Sequence, residues 1–374
     1  MGTVYDTIIV GGGLVGAALA CGIAARGRLV AVVDGDDRDF RASRGNFGLV
    51  WVQGKGAGFP AYARWTAMAA KCWPDFEREL RETTGIDFGF RQNGGYDFCL
   101  DQVEWVARSE EMSLVQQHTR GEFEYEMLDN TELKRRIPQV SGDVFGASYS
   151  DHDGHVNPLY LLRALHQRMQ NLGCRYYPNQ KVISTRPKNG SFIVKTSSDR
   201  YQAKQIVLCA GLDNQRLAHE LGMHIPVHPI RGQLLITERV ESFLPCASLP
   251  VRQTMEGTLQ IGNSHENVGF DDSTTLDVIT RLAARAVRIF PHLSGVRLVR
   301  AWGALRVMTP DGAPIYHRSA HYPGAYAISC HSGVTLTSLH AGVVADWVCD
   351  DAIDALIAEF SAERFDVSNT SLRV

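Results

Sequence analysis

The sequence predicts an α/β fold, α+β in part: a Rossmann-like nucleotide-binding domain with a second, mixed-sheet domain interleaved into it. Three observations carry this. The first 34 residues read as strand, glycine turn, helix and strand, one βαβ unit. Strand–helix alternation dominates both ends of the chain, and the middle, about 226–296, is richer in strands. A chain of 374 residues is also longer than a single core usually serves. The expected division assigns 1–85, 142–225 and 297–374 to the nucleotide-binding domain, and 86–141 and 226–296 to the domain that binds substrate.

Residues 7–10 form a short apolar run, glycines follow at 11, 12 and 13, and 14–26 have helical composition. A second apolar run, 29–33, ends in Asp34. Residues 60–84 read as a long helix stopped by Gly85. The runs 88–91 and 96–100 flank Gly94-Gly95 and predict a hairpin. A short helix at 131–136 ends before Pro138. Asn157-Pro158 supplies an N-cap and a proline at the first helical position, opening a helix to about Leu172. Strands are expected at 192–195, 205–209, 233–238 and 259–261, and an amphipathic helix at 273–290, closed by Pro291. A strand at 326–330 leads to a long helix at 333–349, and from about Asp366 the chain is a polar tail.

Hydrophobic residues make up 44% and the net charge is −3, so no basic face offers itself to nucleic acid or anionic lipid. The eight cysteines show no C-x-x-C spacing and no compact cluster with histidines, which argues against an iron–sulfur or structural zinc site in this chain. They read as reduced thiols of a cytoplasmic protein, and the glycine-broken apolar run near Met1 does not read as a targeting segment. No stretch of about 18 uninterrupted apolar residues is available to span a membrane. Membrane association through partners stays open.

Chemistry enters with Gly11-Gly12-Gly13-Leu14-Val15-Gly16, the G-x-G-x-x-G fingerprint of a dinucleotide site. Gly11 permits the tight turn, Gly13 lets backbone approach a pyrophosphate, and Gly16 lets helix pack on strand. The helix start, with Leu14 and Val15, offers unpaired N–H groups to phosphate. Asp34, followed by Gly35, is placed to bind the adenosine ribose. The fingerprint alone does not separate NAD from FAD; its position at the start of the chain favours FAD.

Seven segments in order resemble the D-amino acid oxidase family of flavoenzymes, which includes glycine oxidase, sarcosine oxidase and the opine and hydroxyproline dehydrogenases. They are the fingerprint; Ser43-Arg44-Gly45-Asn46-Phe47-Gly48-Leu49; Gly154-His155-Val156-Asn157-Pro158; Val207-Leu208-Cys209-Ala210-Gly211; Pro229-Ile230-Arg231-Gly232-Gln233; Trp302-Gly303-Ala304-Leu305-Arg306 with Thr309-Pro310-Asp311-Gly312-Ala313-Pro314; and Gly333-Val334-Thr335-Leu336. The resemblance implies a glycine oxidase-like fold and FAD. It implies cofactor contacts from Ser43, Arg44, Asn46, Phe47, Gly48 and Leu49, from Val182 at the adenine, and from Ala210 and Gly211. It adds Gly303 and Arg306, and Ser332, Gly333, Val334, Thr335 and Leu336 at a helix N-terminus facing the flavin's pyrimidine edge. Sarcosine oxidases of this family attach flavin through a cysteine before the Thr-Pro segment; 303–308 contain none, so FAD is expected to be noncovalent.

The stretch from Gly45 to Gly56, and Cys330-His331-Ser332-Gly333-Val334-Thr335-Leu336, are similar to the β subunits of opine (octopine or nopaline) oxidases and of D-hydroxyproline dehydrogenases. These two are not separated by the residues. The resemblance implies oxidation of a secondary amino acid by hydride transfer to flavin, α and γ partner subunits carrying further redox groups, and an FMN at an interface with a partner. On the substrate side it makes Arg306 a carboxylate clamp. His331 reads equally as a base for the substrate amine or as a structural histidine. Lys55 reads as a ligand for a second carboxylate or a cofactor phosphate, or as a solvated loop lysine. His265, with Arg252 and Glu256, lies in the strand-rich region expected to roof the substrate. A stand-alone oxidase, a non-catalytic FAD-binding scaffold and an NAD-dependent dehydrogenase are the competing readings.

Overall fold

The computed structural model describes residues 3–36, 41–350 and 355–366. β1 (Val4–Val10) lies inside an eight-stranded sheet. It pairs in parallel with β2 (Val30–Val33) on one side and with the strand Arg200–Leu208 on the other. Ala325–Ser329 extends the parallel set, Arg175–Tyr177 closes one edge, and Ile315–Arg318 closes the other in antiparallel pairing. Ile8, Ile9, Val32 and Val207 are fully buried, as strands covered on both faces must be. α1 (Leu14–Ala25) is buried almost all round, because the helix Pro158–Asn171 and the C-terminal helices pack on it.

Register then places the site. Val10 pairs with Val33 and with Leu208, so Gly11, Asp34 and Cys209 emerge together at the carboxyl ends of three adjacent strands. In open parallel sheets that edge is where ligands bind.

Two smaller sheets form the other layer. One runs Val251–Gln253, Thr258–Ile261, His228–Arg239, Leu298–Met308; the other runs Ala247–Leu249, Gly95–Cys99, Gly146–Ser150, Glu126–Asp129. The helix Leu276–Ile289 presses Val278, Leu282, Ala286 and Ile289 into their shared core. A two-stranded pairing of Leu49–Val50 with Gly154–His155 ties the flavin-side loop to this layer.

The expected helix at 60–84 is observed as Pro60–Thr84, with Gly85 at φ 69° ending it. The Asn157 side chain caps its helix through Leu159 N and Tyr160 N. Two expectations are corrected, and one long helix is unexpected. The hairpin at 88–91 and 96–100 does not form: Gly95–Cys99 pairs with Gly146–Ser150 and Ala247–Leu249, while Arg91 bridges to His155. The glycine pair turns the chain but sends its two sides to different partners. The helix at 333–349 is two pieces, Thr337–Ala341 and Val343–Asp350, broken at Gly342, and 333–336 are turns. The helix Gln102–His118 is absent from the expected elements; its apolar residues follow no clear stripe, and only Met112 and Val115 are buried. The polar tail expected from about Asp366 falls almost wholly outside the described residues. Among the described residues, no helix is long and apolar enough to cross a membrane.

Trp73 links the long helix to the site. Fully buried, it stacks on Phe90 at 5.1 Å and donates Nε1–H to Thr335 O at 2.8 Å. Trp73→Ala should cost about 3–5 kcal/mol, as for other large-to-small aromatic truncations in cores. A lowered urea midpoint at unchanged slope is expected, and an unmoved midpoint would contradict this packing.

Candidate active site

The glycine turn is held by close backbone approach. Gly11 has φ +105°, and a Cβ there would sit 2.4 Å from Cys209 O. A Cβ on Gly16 would sit 2.0 Å from Gly11 O, so the helix can start here only with glycine beneath it. The first amides of a helix lack intrahelical acceptors. That of Leu14 donates to Ser43 Oγ at 2.9 Å, while Gly13, Leu14 and Val15 line a groove of about 1370 Å³. Asp34 also lines the groove. It is 6% exposed and accepts hydrogen bonds from Arg41 Nη1 (2.8 Å), Tyr176 Oη (2.9 Å) and Gly35 N (3.1 Å).

Farther along, the groove takes in Gly35, Ser43, Asn46, Val182, Ala210, Gly211, Gly333 and Val334. A second cavity of about 880 Å³ adjoins it, lined by Phe47, Gly48, Leu49, Lys55, Arg306, Ser332 and Thr335. Asn46, Val307, His331 and Val334 border both, so the two spaces meet at His331. Four residues assigned to cofactor line neither space. Gly16 sits beneath the turn, Gly303 is wedged against the backbone at Asp272 and Ser273, Leu336 is buried in the core, and Arg44 is exposed. His265 is exposed and outside both cavities, although its field reaches Arg306 and His331. Arg252 is no roof residue but a buried strut, donating to Val156 O and Gln260 Oε1, with Phe47 against its guanidinium. Glu256 is exposed and accepts from Asn157.

The second cavity is electropositive. Arg306 lies on Leu298–Met308, opposite Ile230, and its guanidinium rests on Gly232, where a Cβ would fall 2.4 Å from Nη2. Its Nη1 is buried without a hydrogen-bond partner, and burial holds its pKa below the ordinary arginine value. Lys55 is half-buried in the turn after Val52. Burial, and then the Arg306 charge, push its ammonium down to about 8. Among the described residues neither cation forms an ion pair. His331 is held neutral, well below the usual imidazole range, by burial first and then by Lys55, Arg306 and His265. It therefore does not titrate near neutral pH in the ligand-free site, contrary to what its residue type suggests. Burial is the first cause at all three groups, and the two cations add to it at His331.

Sequence reasoning missed Arg41 and Lys181 in the groove and Trp51 beside Lys55. No motif marks Arg41 or Lys181, and Trp51 lies in the stretch from Gly45 to Gly56 with no role assigned to it. The groove fits FAD on structural grounds: a glycine cradle any Cβ would fill, a carboxylate at the end of the second strand, and a continuous path to a further cavity. Cys330 lines the groove, but burial pushes its thiol up to about 12.

The comparisons agree with this geometry. A family model described as FAD dependent oxidoreductase (DAO) matches residues 6–347. The B subunit of opine oxidase from Agrobacterium tumefaciens (strain Ach5) is 43% identical over 361 residues, 96% of this chain and 97% of that protein. The HcnC subunit of hydrogen cyanide synthase from Pseudomonas aeruginosa is 29% identical over 98% of this chain and 97% of its own length. The crystal structure of glycine oxidase from Geobacillus kaustophilus, 24% identical, covers 96% of this chain and 98% of its own with a TM-score of 0.85, a likeness of fold. With the glycine cradle, the paired strand ends and a family match over most of its length, the chain belongs to the DAO family of FAD-dependent oxidoreductases.

Proposed function

We propose that the chain is the catalytic, FAD-carrying subunit of a heteromeric dehydrogenase that oxidises an opine, an N-carboxyalkyl amino acid with two or more carboxylates, to a 2-oxo acid and an amino acid. One observation carries this: Arg306 and Lys55 face one cavity, neither forms an ion pair among the described residues, and that cavity meets the dinucleotide groove at His331. Buried charges without partners are expensive, and a substrate dianion supplies both partners at once. A single carboxylate would leave one cation uncompensated. The 43% identical relative, named as the B subunit of an opine oxidase, supports the same substrate class, and its name supports a multi-subunit assembly.

Gly11, Gly13, Leu14, Val15, Asp34, Ser43, Val182, Ala210 and Gly211 would hold FAD along the groove, without a covalent bond, since the buried Cys330 thiol is not a thiolate near neutral pH. Bound FAD supplies a two-electron acceptor that takes a hydride from the substrate carbon next to nitrogen. Arg306 grips one carboxylate through its guanidinium fork and orients that carbon; Lys55 takes the other. The substrate amine must be neutral for its lone pair to assist. His331, neutral in the free site, accepts the ammonium proton on an imidazole nitrogen. The arriving dianion offsets the fields of Lys55 and Arg306 and so raises the proton affinity of His331. The imine formed from the substrate is then hydrolysed by water. Partner subunits, α and γ, would carry the further redox groups that take up the electrons, with an FMN at an interface among them. The complex works in the cytoplasm or at a membrane through its partners.

Anaerobic titration of the protein with its co-expressed partners should bleach the flavin band near 450 nm (approximate, a cofactor property) with D-octopine or D-nopaline. Bleaching by D-hydroxyproline alone would reassign the substrate, and a colourless protein would remove FAD. Arg306→Ala should keep its FAD and lose on the order of 10²-fold or more in kcat/KM, about 3 kcal/mol for a charge-assisted bidentate contact. An unaffected variant would suit a scaffold. Because the Lys55 ammonium is charged only below about 8, kcat/KM for an opine should fall as pH rises through that value. Lys55→Met should abolish this limb, and a limb that survives it belongs to another group.

A further inference from the structure

Beneath Lys55 lies a buried polar chain that the chemistry above does not use. Asp153 is fully buried and accepts hydrogen bonds from Val52 N at 2.5 Å and from Gln53 Nε2 at 2.6 Å. Gln53, 1% exposed, also donates to Gly95 O and accepts from Ser148 Oγ. Ser148 in turn accepts from Arg108 Nε at 3.0 Å, and Arg108 is ion-paired with Asp97 and Glu111. The next residue, Gly54 at φ +70°, lies against Arg108 and Glu111: a Cβ there would sit 3.0 Å from Arg108 Nη1 and from Glu111 Oε1. On the far side of Lys55, Gly56 O is bonded to His118 Nδ1 at 3.0 Å.

The head of this chain uses both carboxyl oxygens. Val52 and Gln53 both present N–H donors to Asp153. An asparagine amide has only one oxygen, so its NH₂ would face one of those donors. Burial pushes the Asp153 carboxyl up to about 7 in spite of these donors and the more distant Arg108 charge. The fold therefore holds an ionisable group where a neutral one would be cheaper to bury.

We propose that Asp153 is a positioning residue for substrate selection: by clamping Val52 and Gln53 it sets where the Lys55 ammonium stands relative to Arg306, and so the carboxylate spacing the cavity accepts. This rests on the proposed role of Lys55. The holoenzyme should be titrated with glutarate, a dicarboxylate, and acetate, a monocarboxylate, by perturbation of the flavin spectrum. Four proteins are compared: wild type, Asp153→Asn, Lys55→Met and the double variant. Asp153→Asn should weaken glutarate about tenfold or more and acetate less than twofold, and should add nothing further in the Lys55→Met background, as expected for residues acting through one contact. If Asp153→Asn weakens glutarate equally in both backgrounds, or weakens both ligands alike, Asp153 is only structural and the proposal falls. If Lys55→Met keeps the preference for glutarate, the Lys55 reading itself fails, whatever Asp153 does. Should Asp153→Asn not fold with FAD, Ser148→Ala, which frees Gln53 Oε1, decides: a smaller loss confined to glutarate supports the proposal, and unchanged glutarate binding overturns it.

Discussion

The site hangs from one ladder, the antiparallel pairing of His228–Arg239 with Leu298–Met308. Its register sets Gly232 beside Ala304 and Ile230 beside Arg306, so the guanidinium comes to lie over a residue with no side chain. The residue after Arg306, Val307, borders both the dinucleotide groove and the substrate cavity. A slip of one residue would turn Arg306 to the opposite face. The ladder thus fixes the distance between the Arg306 guanidinium and the dinucleotide groove.

Against that ladder the chain places charge it does not neutralise. Among the described residues, Arg231 is ion-paired with Glu266 and Asp271 and Arg108 with Asp97 and Glu111, while buried Arg252 is held by uncharged acceptors alone. Arg306 and Lys55 are treated differently, and His331 registers the difference through its depressed proton affinity. Desolvated charge without an ion pair is a cost to folding that a bound dianion would return as affinity. The same field, added to burial, keeps the His331 ring unprotonated in the ligand-free site.

The dinucleotide end was legible because its determinants are local. Gly11 is demanded by its φ of +105° and Gly16 by the approach of Gly11 O within the same turn, and Asp34 follows from the length of the helix between two strands. Lys55 was less legible. Composition makes it a solvated loop lysine, and only Asp153, a hundred residues from Gln53, turns that loop into a wall of the cavity. Arg41 pairs with Asp34 from a segment with no periodic pattern. The hairpin misreading has the same root: Gly94-Gly95 signals a turn, but the strand that Gly95–Cys99 chooses comes from Gly146–Ser150.

By itself, then, the sequence determined the βαβ unit, its glycine turn with a dinucleotide site, and the helices near 14–25, 60–84, 130–136, 158–171 and 276–289, since these depend on backbone sterics and apolar periodicity over a few residues. Tertiary structure alone decided that Arg306, Lys55 and His331 share one space, that Gly303 and Leu336 lie away from it, and that His331 is neutral. Those facts depend on strand register, on contacts between distant segments and on desolvation, and all three exist only once the sheets have packed.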